Sequence, residues 1–309
     1  MRVWLSGASL TKDASTQRLP FPESAAEILP RLERELNELT RITTRHTGSD
    51  SGERLVLTLH DGKSIESVLL PRDGVCVSTQ VGCAVGCTFC MTGTLGLERQ
   101  LSVDELLAQV VVARRNQAIR RVVFMGMGEP AHNLANVLEA IHHLGTDGDI
   151  AHKNLVFSTV GDPKVFDELA ANSVRPALAL SLHTTDDARR RELVPRGPRA
   201  GPRELLESAL DYADRVGHPL QLQWTLLRGI NDTDEELERL IAWLRGRRVA
   251  VNFIPFNEVE GFDHERTSGD RAHEMTRALH ANGIIAKLRL SAAQDVYGGC
   301  GQLRARSNS

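Results

Sequence analysis

From Val75 onward, short apolar runs alternate with longer amphipathic stretches. The runs lie at Val122–Met125, Leu155–Phe157, Ala177–Leu182, Leu220–Leu227, Val249–Ile254 and Ile284–Leu290. Runs that are apolar on both faces and separated by helical stretches indicate a parallel sheet covered by helices. Ser102 with Glu105, and Thr233 with Glu236, match the capping box that begins many helices. About six or seven such units predict an α/β protein with a partial (β/α) barrel, whose functional residues lie at the C-terminal ends of the strands.

The N-terminal part follows a different pattern. Apolar residues recur at intervals of three and four residues between Glu27 and Ile42, which predicts an amphipathic helix. A Gly/Ser-rich break at 47–52 precedes apolar alternation on both sides of Asp61-Gly62, which predicts a β-hairpin. Residues 1–24 are polar and show no periodicity, and we interpret them as a loosely defined lead-in. We predict a helix-and-hairpin extension over 1–70, a core over 71–303 and a tail over 304–309.

Composition excludes several classes of protein. The 309 residues are 41% hydrophobic and 25% charged, with a formal net charge of −3. These values are those of an ordinary globular protein. No apolar run approaches the roughly 18 residues of a membrane span, and the first residues lack the apolar stretch of a signal peptide. We therefore expect a cytoplasmic protein without a membrane partner, in which any nucleic acid would be bound by a local patch.

Three of the five cysteines form a compact motif. Cys83, Cys87 and Cys90 follow the apolar segment Val75–Val81 with the spacing C-x3-C-x2-C. An odd, sparse set of cysteines argues against a secreted disulfide framework. Compact thiolate spacing is typical of iron–sulfur clusters, and three ligands on four irons leave one iron free. A zinc site completed by a distant histidine, or unrelated buried thiols, are the alternatives.

The cysteine motif resembles that of the radical S-adenosylmethionine (SAM) superfamily, with Phe89 before the last cysteine and a βα array after it. Further motifs narrow the resemblance to the RlmN and Cfr group, whose members methylate an adenosine carbon in RNA. These motifs are Cys76, Met125-Gly126-Met127-Gly128-Glu129-Pro130, Ser181-Leu182-His183, Ile254-Pro255-Phe256-Asn257 and Gly299-Cys300-Gly301-Gln302-Leu303. The match runs from roughly Arg54 to Leu303.

The resemblance implies a radical SAM barrel with a [4Fe-4S] cluster held by Cys83, Cys87 and Cys90. It also implies two SAM molecules per turnover. The first methylates Cys300, and the second yields a 5′-deoxyadenosyl radical that removes hydrogen from the new S-methyl group. The methylene radical adds to the base, and Cys76 then forms a disulfide with Cys300 and releases the methylated RNA.

The resemblance further implies that SAM is contacted by residues at strand ends and that Glu66 accepts a proton. The implied SAM contacts are Gly128, Glu129, Ser158, Ser181, Leu182, His183 and Asn257. Taken alone, each has an ordinary structural interpretation. Gly128-Glu129 also fits a turn that ends a strand, His183 a core histidine, and Glu66 a solvated hairpin residue.

The expected function is methylation of an adenosine ring carbon, C2, in ribosomal or transfer RNA, by a monomer that receives electrons from a donor such as flavodoxin. A C8 methylase, a radical SAM enzyme with a non-RNA substrate and a non-catalytic metal-binding RNA protein are the alternatives. Candidate RNA contacts are Arg189–Arg191, Arg196, Arg199, Arg203, Arg114–Arg115 and Arg120–Arg121, although such runs also form solvated helix faces. Two parts depart from the family: Met1–Ser51 does not align with its N-terminal RNA-recognition domain, and Arg289–Gly299 lacks its Lys-Thr-Arg-Gly run.

Overall fold

A computed structural model describes residues 1–11, 23–94, 96–259 and 261–304. In chain order its strands are β1 (Thr40–Thr47), β2 (Glu53–Leu59), β3 (Ser64–Leu70), β4 (Gly74–Cys76), β5 (Gln80–Gly82), β6 (Leu97–Gln100), β7 (Arg121–Phe124), β8 (Leu155–Thr159), β9 (Ala177–Ser181), β10 (Leu220–Leu226), β11 (Val249–Pro255) and β12 (Ile285–Leu288). The α-helices are α1 (Arg2–Leu5), α2 (Glu23–Glu38), α3 (Met91–Thr94), α4 (Val103–Arg114), α5 (Leu134–Thr146), α6 (Pro163–Ala171), α7 (Asp187–Leu193), α8 (Pro202–Val216), α9 (Asp234–Leu244) and α10 (Gly269–Ala281).

Ten strands form one mixed sheet in the order β1-β2-β3-β4-β7-β8-β9-β10-β11-β12. From β4 to β12 every neighbouring pair is parallel. Every residue of β8 is buried, as the continuous apolar pattern predicts for a strand covered on both faces. The sheet is not closed, because β1 and β12 are its two edges. The predicted partial barrel is therefore confirmed.

The N-terminal strands extend this sheet by antiparallel pairing. The predicted hairpin is confirmed as β2 and β3, with Val56 opposite Glu66, and β3 pairs in turn with β4. The sheet therefore runs without interruption from the hairpin into the core, and the division at residues 70 and 71 stays a prediction.

Two N-terminal predictions were wrong. The helix ends at Glu38 rather than Ile42, because Thr40–Thr47 forms β1, whose β-branched residues pair with β2. The lead-in begins with helix α1, and its Trp4 and Leu5 are buried in the main core. The remainder of the lead-in, residues 12–22, and of the tail, residues 305–309, lies outside the described residues.

Of the two predicted capping boxes, one is complete. The Ser102 hydroxyl accepts from the Glu105 N–H, and the Glu105 carboxylate accepts from the Ser102 N–H at 2.9 Å. At the start of α9 the Thr233 hydroxyl accepts from the Glu236 N–H, but the buried Glu236 carboxylate accepts from the Thr185 N–H at 2.7 Å instead. Glu236 therefore fixes the loop between β9 and α7. None of the helices in the described ranges has the length and apolar character that crossing a bilayer requires.

Candidate active site

The loop from Cys83 to Cys90 connects β5 to α3 and depends on two glycines. Gly82 has φ +79°, and a Cβ there would overlap the Gly96 carbonyl oxygen. Gly86 has φ +67°, and a Cβ there would lie 2.8 Å from the Arg196 guanidinium. Both positions have a left-handed backbone, which favours glycine, and at Gly82 the neighbouring backbone also leaves no room for a side chain.

Hydrogen bonds fix this loop to distant parts of the chain. The Cys83 N–H donates to the Gly96 carbonyl at 2.9 Å, and the Thr88 N–H donates to the Leu193 carbonyl at 3.0 Å. The Met91 N–H donates to the Gly301 carbonyl at 2.8 Å. The last bond joins the cysteine loop to the segment that carries Cys300.

The donor set of the loop fits an iron–sulfur cluster. The three thiols line one cavity, and burial raises the pKa of each, that of Cys83 to about 12. Thiols ligate iron as thiolates, so a positive centre must offset this burial. Among the described residues, no three His, Cys, Asp or Glu side chains converge as they would around a single metal ion. The cysteines of a cluster bind different irons, so three sulfur donors on one loop match it without such convergence.

Glu129 lies beyond the end of β7 and lines the same cavity. Its carboxylate is buried and accepts from the Val160 N–H at 3.0 Å and the Ala131 N–H at 3.0 Å. Burial raises the pKa of Glu129 despite these bonds. Gly128 has φ +100°, and a Cβ there would lie 2.8 Å from the Gln80 backbone nitrogen. Glycine is therefore required here because the turn that carries Glu129 packs tightly against Gln80.

The ends of β8 and β9 add to the lining of this cavity. Ser158, Ser181 and His183 belong to it. His183 has φ +64°, a conformation rare for a residue with a Cβ and often found at functional sites. Its Nδ1 accepts from the Thr225 N–H at 3.0 Å, and its ring contacts Phe89 with centroids 4.6 Å apart. Burial, followed by the charge of Arg190, lowers the pKa of His183 to about 3, so the ring is neutral at physiological pH.

Two of the expected SAM contacts are placed differently from the others. The side chain of Leu182 is buried in the main core, and its N–H donates to the Gln223 carbonyl at 3.1 Å. The Asn257 amide donates to the Cys300 carbonyl and to the Ser291 hydroxyl, both at 2.9 Å. Neither residue is among those that line the cavity. Asn257 holds the segment that carries Cys300.

A second cavity, a groove of about 670 Å³, adjoins the first. It is lined by residues of β3, β4, β7, β10, β11 and β12 and of the segment that follows β12, and we call it the seam groove. Cys76 and Cys300 both line it, and Cys300 also lines the first cavity. All five cysteines are free thiols, Cys76 buried and Cys300 exposed. Burial, followed by the nearby Cys300, raises the pKa of Cys76 to about 12.

The seam groove is lined by four cationic side chains and one carboxylate. The cations are Arg72, Arg121, Lys287 and Arg289, and the carboxylate is that of Asp50. Asp50 accepts hydrogen bonds from the N–H groups of Gly52 and Ala293. Burial and the neighbouring Arg289 lower the pKa of Arg121. In the described part of the chain none of the four cations forms an ion pair with a carboxylate, so the groove has a local excess of positive charge.

Glu66 is completely buried on β3 and does not line either cavity. Its carboxylate is paired with Arg54 at 2.5 Å and accepts from the Arg304 N–H at 2.8 Å. Leu303, the residue before Arg304, lines the groove. Glu66 therefore anchors the chain just beyond the Cys300 segment.

Most of the candidate RNA arginines make contacts within the protein. Arg189 pairs with Glu236 at 2.9 Å, and Arg203 pairs with Glu207 at 2.6 Å. The guanidinium of Arg190 is buried and donates to the carbonyls of Ser181, Leu182 and Val160. Arg114 donates to the carbonyls of Leu5 and Gly148, Arg115 to the Asn37 amide oxygen, and Arg120 lies 3.8 Å from Asp73. Arg121 is the member of the set that lines the groove.

Two site residues were missed in the sequence. Gln223 lines the first cavity and Arg289 the seam groove, and no local pattern distinguishes Arg289 from other polar residues. Arg190, expected as an RNA contact, is buried and donates to the Val160 carbonyl. Gln223 had one usable signal, since β10 alternates polar Gln221, Gln223 and Thr225 with apolar residues. A strand that is apolar on one face and polar on the interior face of a barrel points to an internal ligand cavity.

Comparison with known proteins identifies the class. Residues 77–244, more than half of the chain, match the Radical SAM superfamily. The chain belongs to the radical SAM superfamily.

The names of similar proteins describe a more specific class of enzyme. The chain is 56% identical to a probable RNA methyltransferase of Bordetella avium, covering 99% of this chain and 88% of that protein. It is 54% identical to a probable RNA methyltransferase of Pseudomonas aeruginosa, covering 99% and 89%. A solved radical SAM methyltransferase from Sphaerobacter thermophilus is 33% identical, with a TM-score of 0.85 over 96% of this chain and 89% of that one.

Proposed function

We propose that this protein is a radical SAM methyltransferase that transfers a methyl group to an adenosine ring carbon, C2, of ribosomal or transfer RNA. One observation carries the proposal: Cys300 lines both the cavity of the cysteine loop and the groove that contains Cys76. A sulfur at this junction can take up a methyl group on one side and deliver it on the other. The names of the relatives support RNA as the substrate.

Cys83, Cys87 and Cys90 would hold a [4Fe-4S] cluster, and the Glu129 carboxylate would pair with the ammonium group of SAM. When bound, the cluster supplies one electron to SAM, whose cleavage gives a 5′-deoxyadenosyl radical that takes a hydrogen atom from the methyl group on Cys300. The His183 ring, neutral at physiological pH, accepts from the Thr225 N–H and adds no charge of its own to the wall of the cavity. The protein's own contribution is therefore orientation and exclusion of water.

Cys300 acts twice in this scheme. Its thiolate first takes a methyl group from one SAM molecule, and the methylene later formed on its sulfur adds to the adenosine ring. The adduct would give up the ring proton and one electron, which the cluster oxidised in the cleavage of SAM would take back. The Cys76 thiolate then attacks the Cys300 sulfur: the S–S bond forms, the C–S bond breaks, and the electron pair left on carbon takes up a proton to complete the methyl group. We propose Glu66 as the acceptor of the ring proton, a role for which its carboxylate would have to exchange its bonds to Arg54 and the Arg304 N–H for access to the groove.

The RNA strand would lie in the seam groove. Phosphate groups are held mainly by Lys and Arg. The groove presents cations that have no paired carboxylate among the described residues, beside both proposed catalytic thiols. A donor such as flavodoxin would supply the electron, and the protein would act as a cytoplasmic monomer.

Anaerobic reconstitution with iron and sulfide, followed by nucleoside mass spectrometry of RNA, tests the proposal. We expect a cluster, 5′-deoxyadenosine under reductant, and 2-methyladenosine in RNA from a deletion strain after complementation but not before. Cys300→Ala should keep the cluster and lose methylation, whereas Cys83→Ala should lose the cluster. Methylation by Cys300→Ala at the wild-type rate would refute the two-SAM scheme.

The alternatives give other results in the same experiment. A C8 methylase would yield 8-methyladenosine. Cleavage of SAM without RNA methylation would indicate a different substrate. No cleavage in the cluster-bearing protein would favour a non-catalytic metal-binding RNA protein.

A further inference from the structure

Gln223 stands out among the buried polar side chains. It lies on β10, in register between Ser181 of β9 and Asn252 of β11, and its side chain lines the cavity of the cysteine loop. Only 3% of Gln223 is exposed. Neither its amide oxygen nor its amide nitrogen has a hydrogen-bond partner among the described residues.

A second buried glutamine shows what a structural amide looks like in this protein. Gln109 is also fully buried. Its oxygen accepts from the Ser67 hydroxyl and the Ser78 N–H, both at 2.8 Å, and its nitrogen donates to the Ser78 carbonyl at 2.9 Å. Buried polar groups are nearly always paired in this way, because an unpaired one loses its bonds to water without replacement. In the described part of the chain, the Gln223 amide has no such partner.

The surroundings of Gln223 place that partner in the cavity. Along β10, Gln221 lines the seam groove, while Gln223 and Thr225 line the cavity of the cysteine loop. Leu222 and Trp224 alternate with them and are buried in the main core. Gln223 thus lies on a strand whose side chains line both cavities. Cys300 also lines both cavities, from the segment that follows β12.

We infer that the Gln223 amide binds the hydrogen-bonding edge of an adenine ring. A glutamine amide pairs with adenine through two bonds, accepting from the N6 amino group and donating to N7. A neutral amide suits this neutral base, whereas charged groups of a ligand are better matched by Glu129 or by the cations of the seam groove. Two adenines would come to this site, that of SAM and that of the target nucleotide, and the second of these rests on the proposed function.

Binding measurements on the cluster-reconstituted protein test the inference and identify the adenine. The probes are SAM with its 7-deaza analogue, and a short RNA containing one adenosine with its 7-deazaadenosine counterpart, which lacks the N7 acceptor. We expect the wild-type protein to bind one natural ligand about tenfold to hundredfold more tightly than its analogue. Gln223→Met should remove that discrimination. If the protein discriminates between SAM and its analogue, Gln223 binds the adenine of SAM. If it discriminates between the two RNAs, Gln223 binds the target base.

Thermal unfolding of the ligand-free protein separates binding from structure. Gln223→Met should unfold at the wild-type temperature or above it, because the Gln223 amide has no hydrogen-bond partner within the described ranges, while Gln109→Met should unfold at a lower temperature. The inference is overturned if Gln223→Met is destabilised as much as Gln109→Met. It is also overturned if the wild-type protein discriminates in neither pair, or if Gln223→Met discriminates as the wild type does. Because the SAM pair needs no RNA, failure of RNA methylation would leave this test intact.

Discussion

Helix α7 and the seam groove are both rich in arginine, but their charges are used differently. Around α7, Arg189 is paired with Glu236 and Arg190 is buried against three carbonyl groups. In the groove, Arg121 and Arg289 lie near each other and are not paired with carboxylates in the described residues. The first set completes hydrogen bonds at the ends of strands, and the second leaves positive charge for a ligand. A high density of arginine does not by itself therefore identify a ligand-binding surface.

The largest expected effect comes from Arg190. Replacing it by methionine leaves the carbonyls of Val160, Ser181 and Leu182 without their donor, which should lower the free energy of unfolding by about 3 kcal/mol. Urea unfolding measures this. Arg191→Met, at an exposed position one residue further, is the matched control. It should change stability by less than about 0.5 kcal/mol, and equal effects of the two variants would mean that α7 has no anchoring role.

The buried ring of His183 predicts an acid-sensitive stability. The pKa of His183 is about 3 in the folded protein, against 6.5 for a free side chain. The unfolded chain takes up a proton as the pH falls below 6.5, while the folded protein does not, so stability is complete above that pH and is lost below it. The loss is about 2 kcal/mol between pH 6.5 and pH 5.

Urea unfolding at pH 7 and pH 5 separates the contribution of His183 from that of other titrating groups. His183→Asn keeps an acceptor for the Thr225 N–H and removes the titrating ring, so its stability should change less between the two pH values. An identical pH dependence in the variant would assign the effect to other groups.

A smaller effect, confined to binding, is expected at the seam. Removing Arg121 and Arg289 together should weaken binding of a short RNA and reduce the slope of log affinity against log salt by about one for each phosphate that is no longer neutralised. Stability should stay within about 0.5 kcal/mol of wild type, because neither cation is in an ion pair in the described residues. Fluorescence anisotropy at several salt concentrations provides the slope, and an unchanged slope would place the RNA elsewhere.

The smallest effect is expected at Arg203. Its guanidinium pairs with Glu207 at 2.6 Å and lies 5.2 Å from the centre of the Trp243 ring. Arg203→Ala should leave the salt dependence of RNA binding unchanged, and should change stability by less than about 1 kcal/mol because the pair is half-exposed. A smaller slope of log affinity against log salt in this variant would mean that α8 belongs to the RNA-binding surface.

The sequence predicted those features that depend on neighbouring residues in the chain. The cysteine loop, the hairpin around Asp61-Gly62 and the buried parallel strands all have local patterns of spacing and hydrophobicity. Strand β1 was missed because Thr40–Thr47 is mostly polar and becomes a strand through pairing with β2. Pairing across the sheet is a tertiary interaction that local periodicity does not encode.

The arrangement of polar groups was the least predictable part. Glu236 matches a capping box in sequence, yet its carboxylate binds Thr185 and Arg189, which lie far from it along the chain. Asn257, which stays a predicted SAM contact, donates to the Cys300 carbonyl, a bond that its sequence motif does not indicate. Gln223 and Gln109 are the same residue type in equally buried elements, and only the folded chain shows which one lacks partners among the described residues.

The unclosed sheet has a topological consequence for the segment that carries Cys300. In a closed barrel, hydrogen bonds between the first and last strands complete the wall. Here β1 and β12 do not pair, and the segment after β12 contacts the β1–β2 loop instead: the Ser49 N–H donates to Asp295 at 2.9 Å, and the Ala293 N–H donates to Asp50 at 3.1 Å. The stretch of chain that carries Cys300 therefore also serves as a side wall of the barrel, so that a change which loosens it would displace the sulfur and open the wall at the same time.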